Sequence, residues 1–259
     1  MLKQRFYLLL MAVAVMMSVS LMSCKEEHDD EQLPVYPDVG FTDIADVFAS
    51  LKPTDRVVFL LRHGERGADY SINGLLNENG KLQAQSVGKK IKNGEQAFYA
   101  HSNYGRTKQT CENIAIGRGD YFVDDEEWGF LTGDWYRKDL QVLEEKGWDN
   151  WQTASQWAYE GGFEEGFYDL DRRSEEWIDS LESHLPTMKR INVLISHDYM
   201  VSAMAIYASN RQVDMHYWQN HRWLNYLAGV AFIIDERGLM RIKTIRGLDS
   251  GVLILDKPF

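Results

Sequence analysis

The chain has 259 residues, of which two are cysteines, and a formal net charge of −11 at neutral pH. An acidic chain of this kind lacks the broad basic surface that nucleic-acid binding requires, so we expect no nucleic-acid partner. A chain of this length can bury a sizeable hydrophobic core, and we expect its stability to come from that core rather than from disulfides.

The first residues predict an export signal. Two basic residues precede an apolar run, Phe6–Met17, which is the layout of a secretory signal peptide and is shorter than the ~20 apolar residues of a membrane-spanning helix. The following Leu21–Cys24, LMSC, resembles the lipobox of bacterial lipoproteins. That resemblance implies a signal peptide over residues 1–23 and lipidation of Cys24. It also implies a lipid-anchored location in the cell envelope, with the lipid as the only contact with the membrane.

An acidic segment without apolar periodicity comes next, and we interpret residues 24–40 as a solvated tether. No internal repeat or boundary signal divides the rest, so residues 41–259 are predicted to form a single domain. Lipidation of Cys24 would leave Cys111 without a partner, and we therefore expect no intrachain disulfide.

Buried strands and helices alternate along the predicted domain. Short apolar runs at 56–61, 97–102 and 191–197 indicate strands, and amphipathic or capped segments at 77–91, 106–116, 173–185 and 198–208 indicate helices. A hairpin is predicted over 229–246, with a further strand at 251–255. This alternation predicts an α/β three-layer sandwich with a mainly parallel central sheet flanked by helices.

The middle of the chain is rich in tryptophan. Five of the eight tryptophans lie between positions 128 and 157, and we treat residues 128–170 as an insertion. The interpretation that we favour is a small satellite core beneath a long insertion. The alternative is a lid whose aromatic rings shape the mouth of a pocket.

Polar groups follow three of the predicted strands. The stretch RHGERG begins at Arg62, Ser102 follows the second strand, and His197 ends the third. Ligands of parallel α/β sheets bind at the carboxyl ends of the strands, so these groups are expected to meet at one edge.

Four segments carry a resemblance to a known family. They are RHGER (62–66), LNENGKLQAQSVGKKI (76–91), SNYGRTKQT (102–110) and SHD (196–198). In this order and spacing they resemble the histidine phosphatase superfamily, the phosphoglycerate-mutase-like proteins, and in motif most closely the branch with R-H-G-E-R. Asn77 stands where the family has a threonine, which exchanges one helix-capping residue for another.

The resemblance implies a phosphomonoester hydrolase that needs no metal and no cofactor and acts on a phosphorylated small molecule or phosphoprotein. It implies His63 as the nucleophile that becomes phosphohistidine, oriented by a carbonyl in the turn at Gly64. The implied phosphate clamp consists of Arg62, Arg66, Arg106 and His197, and Ser102 and Asn103 are weaker candidates for contacts with the substrate. Arginine suits this task because its planar fork of donors matches phosphate oxygens.

The proton donor to the leaving oxygen is left open by the sequence. Glu127, directly before Trp128, best matches the acid of the R-H-G-E-R relatives, although Gly129 occupies the position at which many members carry that glutamate. Asp198 is the rival, because a second branch of the superfamily uses a His-Asp pair at the second histidine. Capping of the following helix explains Asp198 equally well.

Two other functions remain open. A phosphoryl mutase would share the clamp, and a surface lipoprotein could use it to bind phosphorylated glycans or lipids without turnover. The sequence does not indicate the physiological substrate or the oligomeric state.

Overall fold

The computed structural model describes residues 40–122 and 125–255. The predicted signal peptide, Cys24 and all of the tether before residue 40 lie outside these described residues. Within the ranges 40–122 and 125–255, no helix is both long enough and apolar enough to cross a membrane.

The described residues form nine strands and eight α-helices. The strands are β1 (Thr42–Asp43), β2 (Arg56–Arg62), β3 (Phe98–His101), β4 (Asp125–Glu127), β5 (Ile191–Ser196), β6 (Arg222–Leu224), β7 (Gly229–Ile234), β8 (Met240–Arg246) and β9 (Val252–Ile254). The helices are α1 (Ile44–Ala49), α2 (Glu78–Lys90), α3 (Gly105–Arg118), α4 (Leu140–Glu145), α5 (Trp151–Glu160), α6 (Leu170–His184), α7 (Asp198–Ala208) and α8 (Tyr217–Asn220). Two short 3₁₀ turns lie at Gly129–Leu131 and Leu185–Thr187.

A seven-stranded sheet forms the centre, in the order β1-β8-β7-β2-β5-β3-β4. Strands β2, β5, β3 and β4 run parallel, and β1 is parallel to β8, whereas β7 is antiparallel to both of its neighbours. The prediction of a mainly parallel α/β sheet flanked by helices is confirmed. The last predicted strand, β9, does not join this sheet and instead pairs with β6 in a separate two-stranded sheet.

Strand β2 is central, and its side chains feed the core on both faces. Val58 and Leu60 belong to one apolar cluster, and Val57, Phe59 and Leu61 belong to the cluster on the other face. A parallel strand covered on both sides needs such a continuous apolar run, which explains why RVVFLL shows no alternation.

Helix α2 begins where the sequence predicts. The Oδ1 atom of Asn77 accepts a hydrogen bond from the backbone N–H of Gly80 at 2.7 Å, so Asn77 is the N-cap. The spacing of apolar residues in this segment predicts Leu82, Val87 and Ile91 on the buried face of the helix. Val87 and Ile91 are buried, but Leu82 is 64% exposed. Its predicted place on the buried face is wrong, because the helix buries the stripe of Ala84, Val87 and neighbouring glycines.

The tryptophan-rich segment packs on the main core. Trp128 and Trp157 are buried in the same cluster as Leu60 of β2, and the indole Nε1 of Trp157 donates to the carbonyl of Tyr168 at 3.0 Å. The favoured interpretation of a separate satellite core is therefore wrong, since these rings extend the core on one face of the sheet.

Candidate active site

The carboxyl ends of β2 and β5, together with the start of α3, open onto one cavity of about 370 Å³. Six of the residues singled out from the sequence line it, namely Arg62, His63, Arg66, Arg106, His197 and Asp198. The strand topology thus brings together residues that are more than a hundred positions apart in the chain.

His63 directly follows β2 and is 3% exposed. Its Nδ1 lies 2.7 Å from the carbonyl oxygen of Gly64. A carbonyl can only accept, so Nδ1 carries the hydrogen and Nε2 keeps its lone pair. Burial first, and then the positive charge of Arg62 and the proximity of His197, hold the pKa of His63 well below its usual value of 6.5. The imidazole is therefore neutral at physiological pH.

The turn that holds His63 is braced by helix α3. The backbone N–H of Gly64 donates to Oγ1 of Thr110 at 3.1 Å, and that hydroxyl donates to the carbonyl of Arg106 at 2.7 Å. Nearby, the N–H of Leu76 donates to Oε1 of Gln109 at 2.8 Å. The glutamine and the last threonine of the R-T-x-Q-T segment thus have a structural role, because they hold Leu76 and the histidine turn in place.

Arg62 is fixed from three sides. Its Nη1 donates to the carbonyl of Leu224 at 2.5 Å, and its Nη2 lies 3.6 Å from Oδ2 of Asp198. Its guanidinium also lies 4.2 Å from the ring centre of Tyr226. A charge held in this way is preorganised, so little ordering remains to be done when an anion arrives.

Arg106 and Arg66 each lie over a tyrosine. The Arg106 guanidinium is 4.2 Å from the ring centre of Tyr104, and that of Arg66 is 3.3 Å from the ring centre of Tyr70. Arg106 also donates through Nη1 to the carbonyl of Ser71 at 3.0 Å. The tyrosine rings stabilise the cations through cation–π contacts.

His197 packs beside His63, with 5.5 Å between the ring centres. Its Nε2 lies 2.8 Å from Oγ of Ser102, and its Nδ1 lies 3.4 Å from Nη2 of Arg106. Burial and the charge of Arg106 lower the pKa of His197 to about 4, although the charge of Asp198 opposes the shift. In the free protein this second histidine is also neutral.

Asp198 is the first residue of α7 and faces the clamp. Its Oδ1 accepts the N–H of Tyr199 at 3.0 Å, and its Oδ2 accepts the indole N–H of Trp223 at 3.4 Å. Burial would raise the pKa of Asp198, but the charge of Arg62 and the hydrogen bonds from Tyr199 and Trp223 lower it below its usual value of 3.8. The N-cap position belongs to His197, so Asp198 does not occupy the capping position considered for it.

Four of the predicted site residues do not line the cavity, namely Glu127, Asn103, Ser102 and Gly64. Glu127 ends β4, where it pairs with His101 at the edge of the sheet, and its side chain is exposed. Asn103 is exposed as well and is not part of the cavity lining. Ser102 is buried and contacts His197 rather than the open space, which makes it a support of the second histidine.

The sequence does not indicate several of the lining residues. Asp134 and Asp149 come from the insertion, and Tyr199 follows Asp198 on α7. Trp151, one of the five tryptophans between positions 128 and 157, does line the cavity, as the lid interpretation expects. Among the described residues, no group of three or more His, Cys, Asp or Glu side chains is arranged to hold a metal ion.

Comparisons with known proteins agree with these observations. The family model of the histidine phosphatase superfamily (branch 1) matches residues 58–238. No curated protein matches the chain at a significant level. Similar solved structures include YhfR of Bacillus stearothermophilus, with 17% identity over 73% of this chain and 96% of that one and a TM-score of 0.48. A phosphoglycerate mutase from Bacillus anthracis has 14% identity over 74% and 92% of the two chains, with a TM-score of 0.48. A mycobacterial glucosyl-3-phosphoglycerate phosphatase has 18% identity over 73% and 97%, with a TM-score of 0.44.

Proposed function

Because this chain belongs to the histidine phosphatase superfamily, we propose that it is a metal-independent phosphomonoester hydrolase that works through a phosphohistidine on His63. One observation carries the proposal. The Nδ1–H of His63 donates a hydrogen bond to the Gly64 carbonyl at 2.7 Å. Nε2 is therefore unprotonated and can act as the attacking atom in a buried, cationic pocket.

The reaction follows in two steps. Arg62, Arg66, Arg106 and His197 bind the phosphate oxygens, and the lone pair of His63 Nε2 attacks phosphorus while the ester P–O bond breaks. The alcohol leaves with a proton. Water then attacks the phosphorus of the phosphohistidine, the P–N bond breaks, and inorganic phosphate and neutral His63 are released.

We further propose Asp198 as the donor of the proton to the leaving oxygen. It lies beside the clamp, 3.6 Å from Arg62, whereas Glu127 lies outside the cavity. In the free protein the arginine keeps Asp198 ionised. A bound phosphate dianion offsets that positive charge and repels the carboxylate charge, so substrate binding raises the pKa of Asp198 and favours its protonated form.

The nucleophile is tested with His63→Ala on an aryl phosphate in the presence of a chelator. We expect wild-type turnover and a loss of at least about a thousandfold in the variant, because no other group replaces the nucleophile. The matched control is His221→Ala, which removes an exposed imidazole outside the cavity. Equal rates for wild type and His63→Ala would exclude the phosphohistidine mechanism.

The donor is tested by varying the leaving group. An alkyl phosphate needs protonation of its leaving oxygen far more than p-nitrophenyl phosphate does. We expect Asp198→Asn to reduce turnover of the alkyl ester at least about tenfold more than that of the aryl ester, and Glu127→Gln to change both by the same small factor. A selective loss with Glu127→Gln instead would return the role to Glu127.

We also propose that the protein is exported and lipidated at Cys24. The support is the sequence alone, the apolar run followed by LMSC. Mass analysis of the N-terminal peptide from cells tests this, and an unmodified Cys24 in the mature protein would contradict it.

A further inference from the structure

The cavity lining contains groups of opposite charge. Besides the arginines of the proposed phosphate clamp, the insertion contributes two carboxylates to the lining, Asp134 and Asp149, which we call the acidic wall. Each of these side chains is about half exposed, at 47% and 48% respectively.

One guanidinium serves both carboxylates of the acidic wall. Arg137 Nη1 lies 2.8 Å from Oδ1 of Asp134, and its Nη2 pairs with Oδ1 of Asp149. Arg137 itself is not part of the cavity lining, and its side chain is 12% exposed. One positive charge cannot neutralise two negative ones, so the wall keeps a net negative charge.

That charge acts inside the cavity. Burial and the nearby Asp198 raise the pKa of Tyr199, and Asp149 and Asp134 add to the effect. Asp134 also raises the pKa of His197, against the larger effects of burial and Arg106. The negative potential of the wall therefore extends to groups beside the clamp.

Two aromatic side chains, Trp151 and Tyr199, also line the cavity. The centre of the Trp151 ring lies 6.1 Å from that of Trp223. Asn150 is partly engaged, because its Oδ1 accepts the N–H of Thr153 at 2.8 Å and one N–H of its Nδ2 donates to the carbonyl of Gly147 at 2.7 Å. The wall thus offers carboxylate acceptors for hydroxyl groups and aromatic carbon for C–H surfaces.

We infer that the alcohol part of the substrate is an uncharged, hydroxyl-bearing ring, as in a hexose monophosphate, and that a second anionic group is selected against. This inference rests on the proposed function. The clamp takes the phosphate, the hydroxyls hydrogen-bond to Asp134 and Asp149, and a carboxylate or second phosphate in their place would face a like charge at the cost of its hydration.

The test compares two phosphate esters with the same sugar ring. One is glucose phosphorylated on its anomeric hydroxyl, and the other is glucuronate phosphorylated at the same position, in which a carboxylate replaces the terminal hydroxymethyl group. We expect wild-type kcat/KM to be at least about tenfold higher for the glucose ester. We expect the ratio of the two kcat/KM values to be smaller in Asp149→Asn and in Asp134→Asn. Each substitution removes one negative charge from the acidic wall and keeps the shape of the side chain.

Glu144→Gln is the matched control, since it removes one exposed negative charge from the insertion outside the cavity. The ratio of the two kcat/KM values should be the same in Glu144→Gln as in the wild type. An equal or greater kcat/KM for the glucuronate ester, or a ratio unchanged in both wall variants, would overturn the inference even when the aryl phosphate is hydrolysed with dependence on His63. If no ester at all is hydrolysed, the proposed function fails and the inference fails with it.

Discussion

His197 is a buried imidazole that is surrounded by cationic groups. Arg106 lies 3.4 Å from its Nδ1, and its pKa is lowered from 6.5 to about 4. In the unfolded chain the same side chain would titrate near its usual value. Between these two pKa values the unfolded state binds more protons than the folded state, so stability falls as the pH falls through this window.

We expect this one group to reduce the free energy of unfolding by about 2 to 3 kcal/mol between about pH 7 and about pH 4.5. His197→Gln removes the titration and keeps a polar group near Ser102. Its stability should depend less steeply on pH than that of the wild type over the same window, as measured by urea denaturation at a series of pH values. Parallel pH profiles for the two proteins would show that His197 is not held neutral by the fold.

The start of helix α2 lies directly against the histidine turn. Oε1 of Glu65 accepts from the amide of Asn77 at 2.7 Å, and Oε2 accepts from that of Asn79 at 2.6 Å. The contact is so close that a Cβ on Gly80 would lie 2.1 Å from the carbonyl oxygen of Glu65. The glycine of the LNENG segment therefore allows the helix to support the loop that carries His63.

Gly80→Ala should reduce both stability and activity. The added methyl group meets backbone rather than a flexible side chain, so the loop or the helix has to shift, at a cost of about 1 to 3 kcal/mol. Gly129→Ala is the control, because a Cβ there meets nothing within 4 Å. Urea denaturation and kcat/KM on the aryl phosphate measure the effect, and a Gly80→Ala protein as stable and active as Gly129→Ala would refute this view of the contact.

The sequence predicts the features of single elements where neighbouring residues alone determine them. The apolar run of β2 and the Asn77 cap were predictable because burial on two faces and capping leave direct marks in the chain. The position of Glu127 outside the cavity was not predictable, because it depends on the register of β4 against β3 and not on the neighbouring residues in the sequence. The exposure of Leu82 was not predictable either, because close packing of small residues determines which face of α2 is buried.

The whole molecule is organised around a core that the insertion shares. Trp177 of α6 is fully buried, and its Nε1 donates to the carbonyl of Phe130 at 3.0 Å. Its ring also stacks on Phe232 of β7 with 5.3 Å between centres. One side chain thus joins a helix, the insertion and the central sheet.

Trp177→Ala should cost about 3 to 5 kcal/mol of unfolding free energy, as truncation of a large buried aromatic residue does. Ile116→Ala is the comparison, because that side chain is 62% exposed and its loss should cost far less. Denaturant titration of both variants provides the measurement. A Trp177→Ala protein no less stable than Ile116→Ala would show that the insertion does not depend on this residue.

The fold class and the meeting of Arg62, His63, Arg106 and His197 at one cavity could be predicted because they rest on ordered motifs at strand ends. The acidic wall could not be predicted, because Asp134 and Asp149 lie in the connections before and after α4, which have neither helical nor strand periodicity. Their positions depend on how the tryptophans pack, and that is a property of the folded molecule.

The contact between His63 and the Gly64 carbonyl has a consequence for how the site can change during evolution. In many enzymes a carboxylate side chain orients the catalytic histidine, and one codon change can remove it. Here the acceptor belongs to the main chain, so nearby side chains can vary while the tautomer of His63 persists, provided that the turn keeps its shape. Side chains that line the cavity can therefore change during evolution without changing the tautomer of His63.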